Sequence, residues 1–147
     1  MATRGAIGIQ LGDRIKAVYT HWDSYVAHNG YILQNFYNDS VVVNKLISMG
    51  DISALGAEIG EKHDFHDNNK EYAETACGVS VAKECTFYSR DRGEDTSWLS
   101  FEDAAHFVKE YTGWGAEYFY LFKNNKWYVK GRRGRWQVLS KALKTAV

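Results

Sequence analysis

Apolar and polar residues alternate near the start of the chain. Ile7, Ile9 and Leu11 share one side at period two, Gly12-Asp13 supplies a turn, and Ile15, Ala17 and Tyr19 continue the alternation. This spacing predicts a β-hairpin. Carried past Tyr19, it puts His21 and Asp23 on the Ile15 side, next to each other where the strand ends. Val18, Thr20 and Trp22 fall on the opposite side.

The period then lengthens. Tyr25, Asn29, Ile32, Leu33 and Phe36 recur at helical spacing, which predicts a helix from a Ser24 or Asp23 cap to about Tyr37. Asn38-Asp39-Ser40 reads as a loop and N-cap, and Val42, Val43, Leu46 and Ile47 form the next helical face, closed by Gly50. Ile52, Leu55 and Ile59 predict a third short helical turn before Gly60.

Glu61 to Glu74 is polar and reads as an exposed loop. Ala76–Val81 and Glu84–Ser89 predict two short strands, followed by a charged turn over Arg90–Asp95. Ser100 and Asp103 resemble a capping box that opens a helix with Phe101, Ala104, Ala105, Val108 and Tyr111 inward and Gly113 at its end. Glu117 to Lys123 is apolar on both sides, as a central strand is. Asn124-Asn125 predicts a two-residue hairpin turn into Lys126–Lys130, and a short helix with Val138, Leu139, Ala142 and Leu143 finishes the chain. The sum is an α+β fold in one domain over residues 1–147, an antiparallel sheet of hairpins with helices packed mainly on one face.

Composition narrows the function classes. The chain is neutral overall, with 18 basic and 18 acidic residues, so no global field draws it to nucleic acid or membrane. The charges are segregated: 13 acids against 5 bases from Asp51 to Asp103, then 8 bases and no acid from Tyr118 onward. Docking of the basic segment on the acidic one is the expectation. Ten Tyr and five Trp are a high share, of a kind used in cores and on binding surfaces. Cys77 and Cys85 form no CxxC pair and read as buried small hydrophobes across a hairpin. The N-terminus lacks the apolar core of a secretory signal and no apolar run reaches membrane length, so a cytoplasmic protein is expected.

Several blocks then resemble one family. These are Thr3-Arg4-x-Ala6-Ile7-Gly8, Gly12-Asp13-Arg14-Ile15-Lys16-Ala17-Val18-Tyr19-x-His21-Trp22-Asp23-x-Tyr25, and Gly50-Asp51-Ile52-Ser53-x-Leu55-Gly56. Arg90-Asp91-Arg92-Gly93-Glu94 and Gly115-Ala116-Glu117-Tyr118 complete the set. They resemble a family of small, mostly uncharacterised proteins encoded by bacteriophages and prophages. The resemblance implies a phage accessory context in the host cytoplasm and carries no reaction and no catalytic residue.

Four constellations carry chemistry. His21 beside Asp23 would make a base with an orienting carboxylate, whereas the plainer reading, which we favour, has His21 bonding nearby backbone. Arg90 and Arg92, with Asp91 and Glu94 around Gly93, have the planar forks that grip phosphate or carboxylate, or else pair among themselves. His63-Asp64-Phe65-His66-Asp67 has metal-ligand residue types but no further cluster to complete a site, and no metal is expected. Arg132, Arg133 and Arg135, interleaved with Trp127, Tyr128 and Trp136, form a platform for a polyanion or single strand.

The reading that follows is a non-enzymatic protein without cofactor that binds a host protein or a small anionic, nucleotide-like ligand to inhibit a host function, with anti-defence as the leading role. Its contacts are His21, Trp22, Asp23, Tyr25, Arg90, Asp91, Arg92, Glu94 and Trp114, with self-assembly into a homo-oligomer expected to complete the pocket. A phosphodiester or nucleotide hydrolase using His21 and Asp23 is the alternative. A nucleic-acid binder using Arg132, Arg133 and Arg135 comes third.

Overall fold

The computed structural model describes residues 2–67, 71–75 and 80–145. In chain order the strands are β1 (Gly5–Leu11), β2 (Arg14–Thr20), β3 (Ile52–Ala54), β4 (Tyr72–Glu74), β5 (Ser80–Ala82), β6 (Thr86–Phe87), β7 (Leu99–Phe101), β8 (Tyr118–Lys123), β9 (Lys126–Gly131) and β10 (Gln137–Val138). The helices are α1 (Tyr31–Phe36), α2 (Ser40–Ser48), α3 (Tyr88–Arg92), α4 (Ala104–Gly113) and α5 (Leu139–Thr145), and a π-helical turn over Val26–Gly30 leads into α1. The class is α+β, as the hairpin and helix periods predict.

The N-terminal hairpin has Leu11 opposite Arg14 and Gly5 opposite Thr20. This register puts odd residues of β1 on the same face as even residues of β2. Ile7 and Ile9 therefore join Val18 in one core, while Ile15 and Ala17 join Ala6 in another. A hairpin buried on both faces belongs in the middle of a sheet, and here it does: the order is β10-β9-β8-β1-β2-β3-β6, with β7 also paired to β2. β8 lies parallel to β1, and Asn124 and Asn125, at φ 54° and 62°, turn it back into β9. β4 and β5 form a separate small hairpin.

The apolar helix stripes seal the two faces. Ile32 and Leu33 of α1, Val43, Leu46 and Ile47 of α2, and Leu139 and Ala142 of α5 bury with Ile7, Ile9 and Val18. On the opposite face α4 inserts Phe107 and Tyr111 against Ala6, Ile15, Ala17 and Phe119. Burying such side chains contributes about 1.5–3 kcal/mol each. Asp39 caps α2 by accepting from the Val42 N–H, as its place before Ser40 suggests.

Five expectations need correction. Ile52 starts a strand rather than a helical turn, because its backbone joins β2 to β6. Tyr72–Glu74 is a strand within the stretch read as loop, since it finds a partner in Ser80–Ala82. The strand expected over Glu84–Ser89 is confined to Thr86–Phe87, and Tyr88–Arg92 is a helix that takes in the end of that strand and the start of the turn expected over Arg90–Asp95, closing on Gly93. Ser100 lies in β7, opposite Lys16, and Asp103 alone caps α4 through the His106 N–H; Phe107 therefore takes the core position and Ala105 is exposed. The helix expected from Ser24 is a π turn before α1, with no side-chain cap from Ser24 or Asp23.

The pairing aligns one end of the sheet. Gly131, Tyr118, Gly5, Thr20, Ile52 and Phe87 sit opposite one another in a row across six strands. Immediately beyond that row lie Arg132 and Arg133, Trp114 to Glu117, Arg4, His21 to Tyr25 and Ser53, while Asp51 and Tyr88 stand on its inner side, because β3 runs parallel to β2 and β6 antiparallel to β3. Most of the chemistry-bearing blocks that the sequence scatters are gathered there.

Candidate ligand-binding rim

After Thr20 the backbone keeps pairing briefly, with the His21 N–H donating to the Ile52 carbonyl at 3.0 Å and the Trp22 N–H to the Ser53 carbonyl at 3.1 Å. Asp23 then turns the chain at φ 59°. Buried Asn29 secures the turn, its side-chain amide donating to the Trp22 carbonyl and to Ser24 Oγ, and its own N–H to the Asp23 carbonyl. Ser24 is fully buried, donates its N–H to the Thr3 carbonyl, and accepts the Tyr120 hydroxyl on its carbonyl at 2.6 Å. The turn fits against Gly5 so closely that a Cβ there would lie 2.6 Å from Ser24 Cβ. The loop is therefore held in place before any ligand arrives.

This geometry separates His21 from Asp23. Leaving the strand at positive φ takes Asp23 out of the alternation that would have put it beside the imidazole. His21 Nδ1 instead meets the Tyr19 hydroxyl at 2.7 Å. Burial pushes the Tyr19 phenol up to about 12, against the opposing pull of Arg4, so it stays protonated. Burial and then the nearby Arg4 charge push the His21 pKa below its ordinary value, so the ring is neutral at pH 7. The result is a neutral imidazole bonded to a phenol, and not a base with a carboxylate behind it.

Rings continue in both directions from His21. Trp22 packs edge-on at 4.8 Å, Tyr19 lies at 5.9 Å, Trp114 stands 5.5 Å from Tyr19, and Tyr111 lies 5.0 Å from Trp114. Both tryptophans at the ends of the surface row are open to solvent, Trp22 at 43% and Trp114 at 37%. Trp114 is fixed by its indole N–H donating to Glu110 at 2.9 Å. Arg4 lies along the row, giving one donor to the Trp114 carbonyl and having no carboxylate within ion-pair distance among the described residues. It crosses Gly115 at φ 91°, where a Cβ would come within 2.9 Å of its Nη1.

Behind the row, the buried Asp51 accepts the Tyr19 N–H at 2.9 Å, and burial raises its carboxyl pKa despite that bond. Tyr88, the first residue of α3, hydrogen-bonds Ser53 and donates its N–H to the Asp51 carbonyl. Tyr88 brings the Arg90–Glu94 block to the rim, but the arginines themselves face elsewhere. All five Arg90 donors are occupied: Nε and Nη2 on Asp91, Nη1 on the Ile59 and Gly60 carbonyls, and Nη2 also on the Cys85 carbonyl. Asp91 is buried and in addition accepts the Phe87 and His63 N–H groups; burial alone would raise its pKa, and these bonds together hold it below the usual value. Arg92 pairs with Glu94 and lies over the rings of Phe65 and Tyr88. The expectation that Arg90 and Asp91 grip a ligand is corrected on this ground: their hydrogen bonds are already made inside the fold.

Tyr25 also leaves the His21 group, turning toward α5 beside Tyr118 and Ala142. Arg132, Arg133 and Arg135 are exposed and enter no ion pair among the described residues, so the expected docking on the acidic middle is not what holds them. His63 donates from Nδ1 to the Glu61 carbonyl and contacts Thr86, which ties the loop to β6 rather than gathering ligands with His66. Glu102, Asp103 and His106 have ligand atoms within 4.8 Å of one another, on the exposed cap of α4. Cys85 is buried with Gly56 and Tyr37 around its sulfur, and its thiol is pushed up to about 11 by that burial; the expectation for Cys77 lies outside the described residues.

No family model, curated protein or solved structure matches the chain. The functional reading therefore rests on the geometry of the rim. No helix among the described residues is long and apolar enough to cross a membrane. Sequence reasoning found His21, Trp22 and Trp114 but overlooked Arg4, Tyr19 and Asp51. Tyr19 was detectable, because residues two apart on a strand share a face. Arg4 was not, since its position depends on β8 lying beside β1.

Proposed function

We propose that this chain is a non-enzymatic binding protein whose rim captures a planar anionic ligand of nucleotide type to inhibit a host function, with anti-defence as the leading role in the phage accessory context that the resemblance implies. The observation that carries the reading is the ring row from Trp22 through His21 and Tyr19 to Trp114, with Arg4 lying along it and no carboxylate paired to that cation among the described residues. Exposed indoles stack on a base, and a guanidinium takes a phosphate in two-point fashion. His21, neutral at pH 7, adds a hydrogen-bonding group whose charge does not change above neutral pH.

Isothermal titration calorimetry of the full chain with nucleoside monophosphates tests it. Micromolar binding is expected, at least tenfold weaker for the matching nucleosides and for Arg4→Ala and Trp22→Ala, and unchanged in Asp23→Ala. Equal binding of nucleoside and nucleotide, or an unaffected Arg4→Ala variant, overturns it. Turnover of a nucleotide or phosphodiester that disappears in His21→Ala would establish the hydrolase alternative. A stoichiometric host protein captured through Trp22, with no nucleotide binding, would establish the protein-partner alternative.

A further inference from the structure

At the same end of the sheet, on the α5 side, two shallow grooves meet at one residue. The first, about 320 Å³, is lined by Tyr25, Val26 and Ala27, by Tyr118, by Gln137 of β10, and by Ala142 and Thr145 of α5. The second, about 370 Å³, runs on past Tyr118 to Glu117, Gly131, Arg132 and Arg133. The sheet register joins them, because Tyr118 sits opposite Gly131 and the arginines follow directly after that pair. One groove is of mixed polarity with a ring on its wall; Tyr25 is 39% exposed. The other is basic, with Glu117 its one carboxylate among the lining residues.

The turn over 131–134 fixes the backbone that carries the arginines. The Gly134 N–H donates to the Gly131 carbonyl at 3.1 Å, and Lys130 folds its ammonium back onto the Gly131 and Arg132 carbonyls. Lys130 thus stabilises the turn while Arg132 and Arg133 stay exposed, without carboxylate partners among the described residues. A ring-walled slot adjoining two exposed cations offers the stacking face and the phosphate partners that single-stranded nucleic acid uses.

We infer that this double groove is a second binding site, for single-stranded nucleic acid, with one base against Tyr25 and Tyr118 and the adjoining phosphates on Arg132 and Arg133. It is separate from the rim around His21 and does not depend on the reading given to that rim. Duplex is excluded as the preferred form, because a stacked and paired base has no free face to offer Tyr25.

Fluorescence anisotropy of the full chain with labelled dT12 and rU12 tests the site. The expected result is binding whose log K falls with log salt at a slope of about −1.4, from about −0.7 for each phosphate neutralised on a single strand. Arg132→Gln with Arg133→Gln should bring the slope near zero and weaken binding at least tenfold. Tyr25→Ala should weaken it about tenfold, through loss of the stacking face. Val41→Ala, at an exposed position that lines neither groove, should leave it within twofold, and circular dichroism of each variant confirms folding. No binding of either oligonucleotide at low salt overturns the inference, as does binding indifferent to the arginine changes. Equal competition by tripolyphosphate together with an unaffected Tyr25→Ala shows a generic anion surface and overturns it too. So does preferential binding to a 12-residue glutamate peptide or to phosphatidylserine vesicles. If nucleotide titration fails at the rim while dT12 binds here, only the rim reading falls; the reverse pattern removes only this one.

Discussion

Removing the Arg90 guanidinium separates a structural arginine from a ligand-gripping one. In Arg90→Ala the Asp91 carboxylate, fully buried in the parent fold, loses the one guanidinium paired with it among the described residues and keeps two backbone N–H bonds. The Ile59, Gly60 and Cys85 carbonyls lose their donors at the same time. Breaking a buried ion pair from one side costs about 3–5 kcal/mol, because the remaining charge is left uncompensated. With a urea m-value of about 2 kcal/mol/M, a loss of about 4 kcal/mol moves the unfolding midpoint down by about 2 M. Equilibrium urea denaturation at pH 7, followed by tryptophan fluorescence, measures that shift. The double variant Arg90→Met with Asp91→Asn should regain part of the loss, since the stranded charge is gone; the interaction energy from the double-mutant cycle isolates the pair. An exposed anion-gripping arginine would cost no more than about 0.5 kcal/mol. An Arg90→Ala midpoint close to that of the parent would refute the structural assignment. The pH dependence has a definite sign: the Asp91 pKa is depressed in the fold, so its contribution is complete above the unfolded value of about 3.9 and is lost as pH falls through the folded value.

In an NMR titration, His21 should show a midpoint below about 6.5 and His106 one above it, because burial and then Arg4 disfavour charge on the first while the Asp103 hydrogen bond favours it on the second; the reverse order would contradict both environments. Since the neutral His21 is favoured in the fold, its contribution to stability is present above about pH 6.5 and lost as the pH falls. Gly5→Ala forces a Cβ to within 2.6 Å of Ser24 and should cost about 1–3 kcal/mol and weaken rim binding, whereas Gly113→Ala, with nothing within 4 Å, should be neutral or stabilising; equal urea midpoints would contradict the packing argument. In a Cys77→Ser background, Cys85 should resist a thiol reagent in the native protein and react at a rate that follows unfolding, and rapid native labelling would show that its burial is wrong.

Elements whose signals are local were legible from the residues. The hairpin at Gly12-Asp13, the Asn124-Asn125 turn and the Asp39 cap each depend on neighbours a few positions apart, and each was found. Ile52 was misread because three apolar residues at spacings of three and four fit a helix, while its strand character comes from β2 and β6, more than 30 residues away on each side. Ser100 was misread because a capping-box pattern carries no information about Arg14, whose Nε donates to the Ser100 hydroxyl at 2.7 Å across the sheet. At the site, His21 and Trp22 were identified by type, but their partners were not. Strand alternation assigned Asp23 to His21, and a single positive φ undid that assignment. Arg90 and Arg92 looked equivalent in sequence, and only the fold shows that one holds backbone carbonyls while the other lies over two rings.

The parallel pairing of β1 with β8 also sets a timetable for the chain. Leu11 has been made long before Tyr118, and at about 5–20 residues per second the interval is on the order of 5–20 s. Throughout that time the hairpin has no neighbour on its β1 side, and its unpaired N–H and C=O groups form an open edge able to join another strand. The central closure is a late, long-range event, of the kind associated with slow folding. Whatever shields β1 on the ribosome decides how much of this protein reaches its folded form.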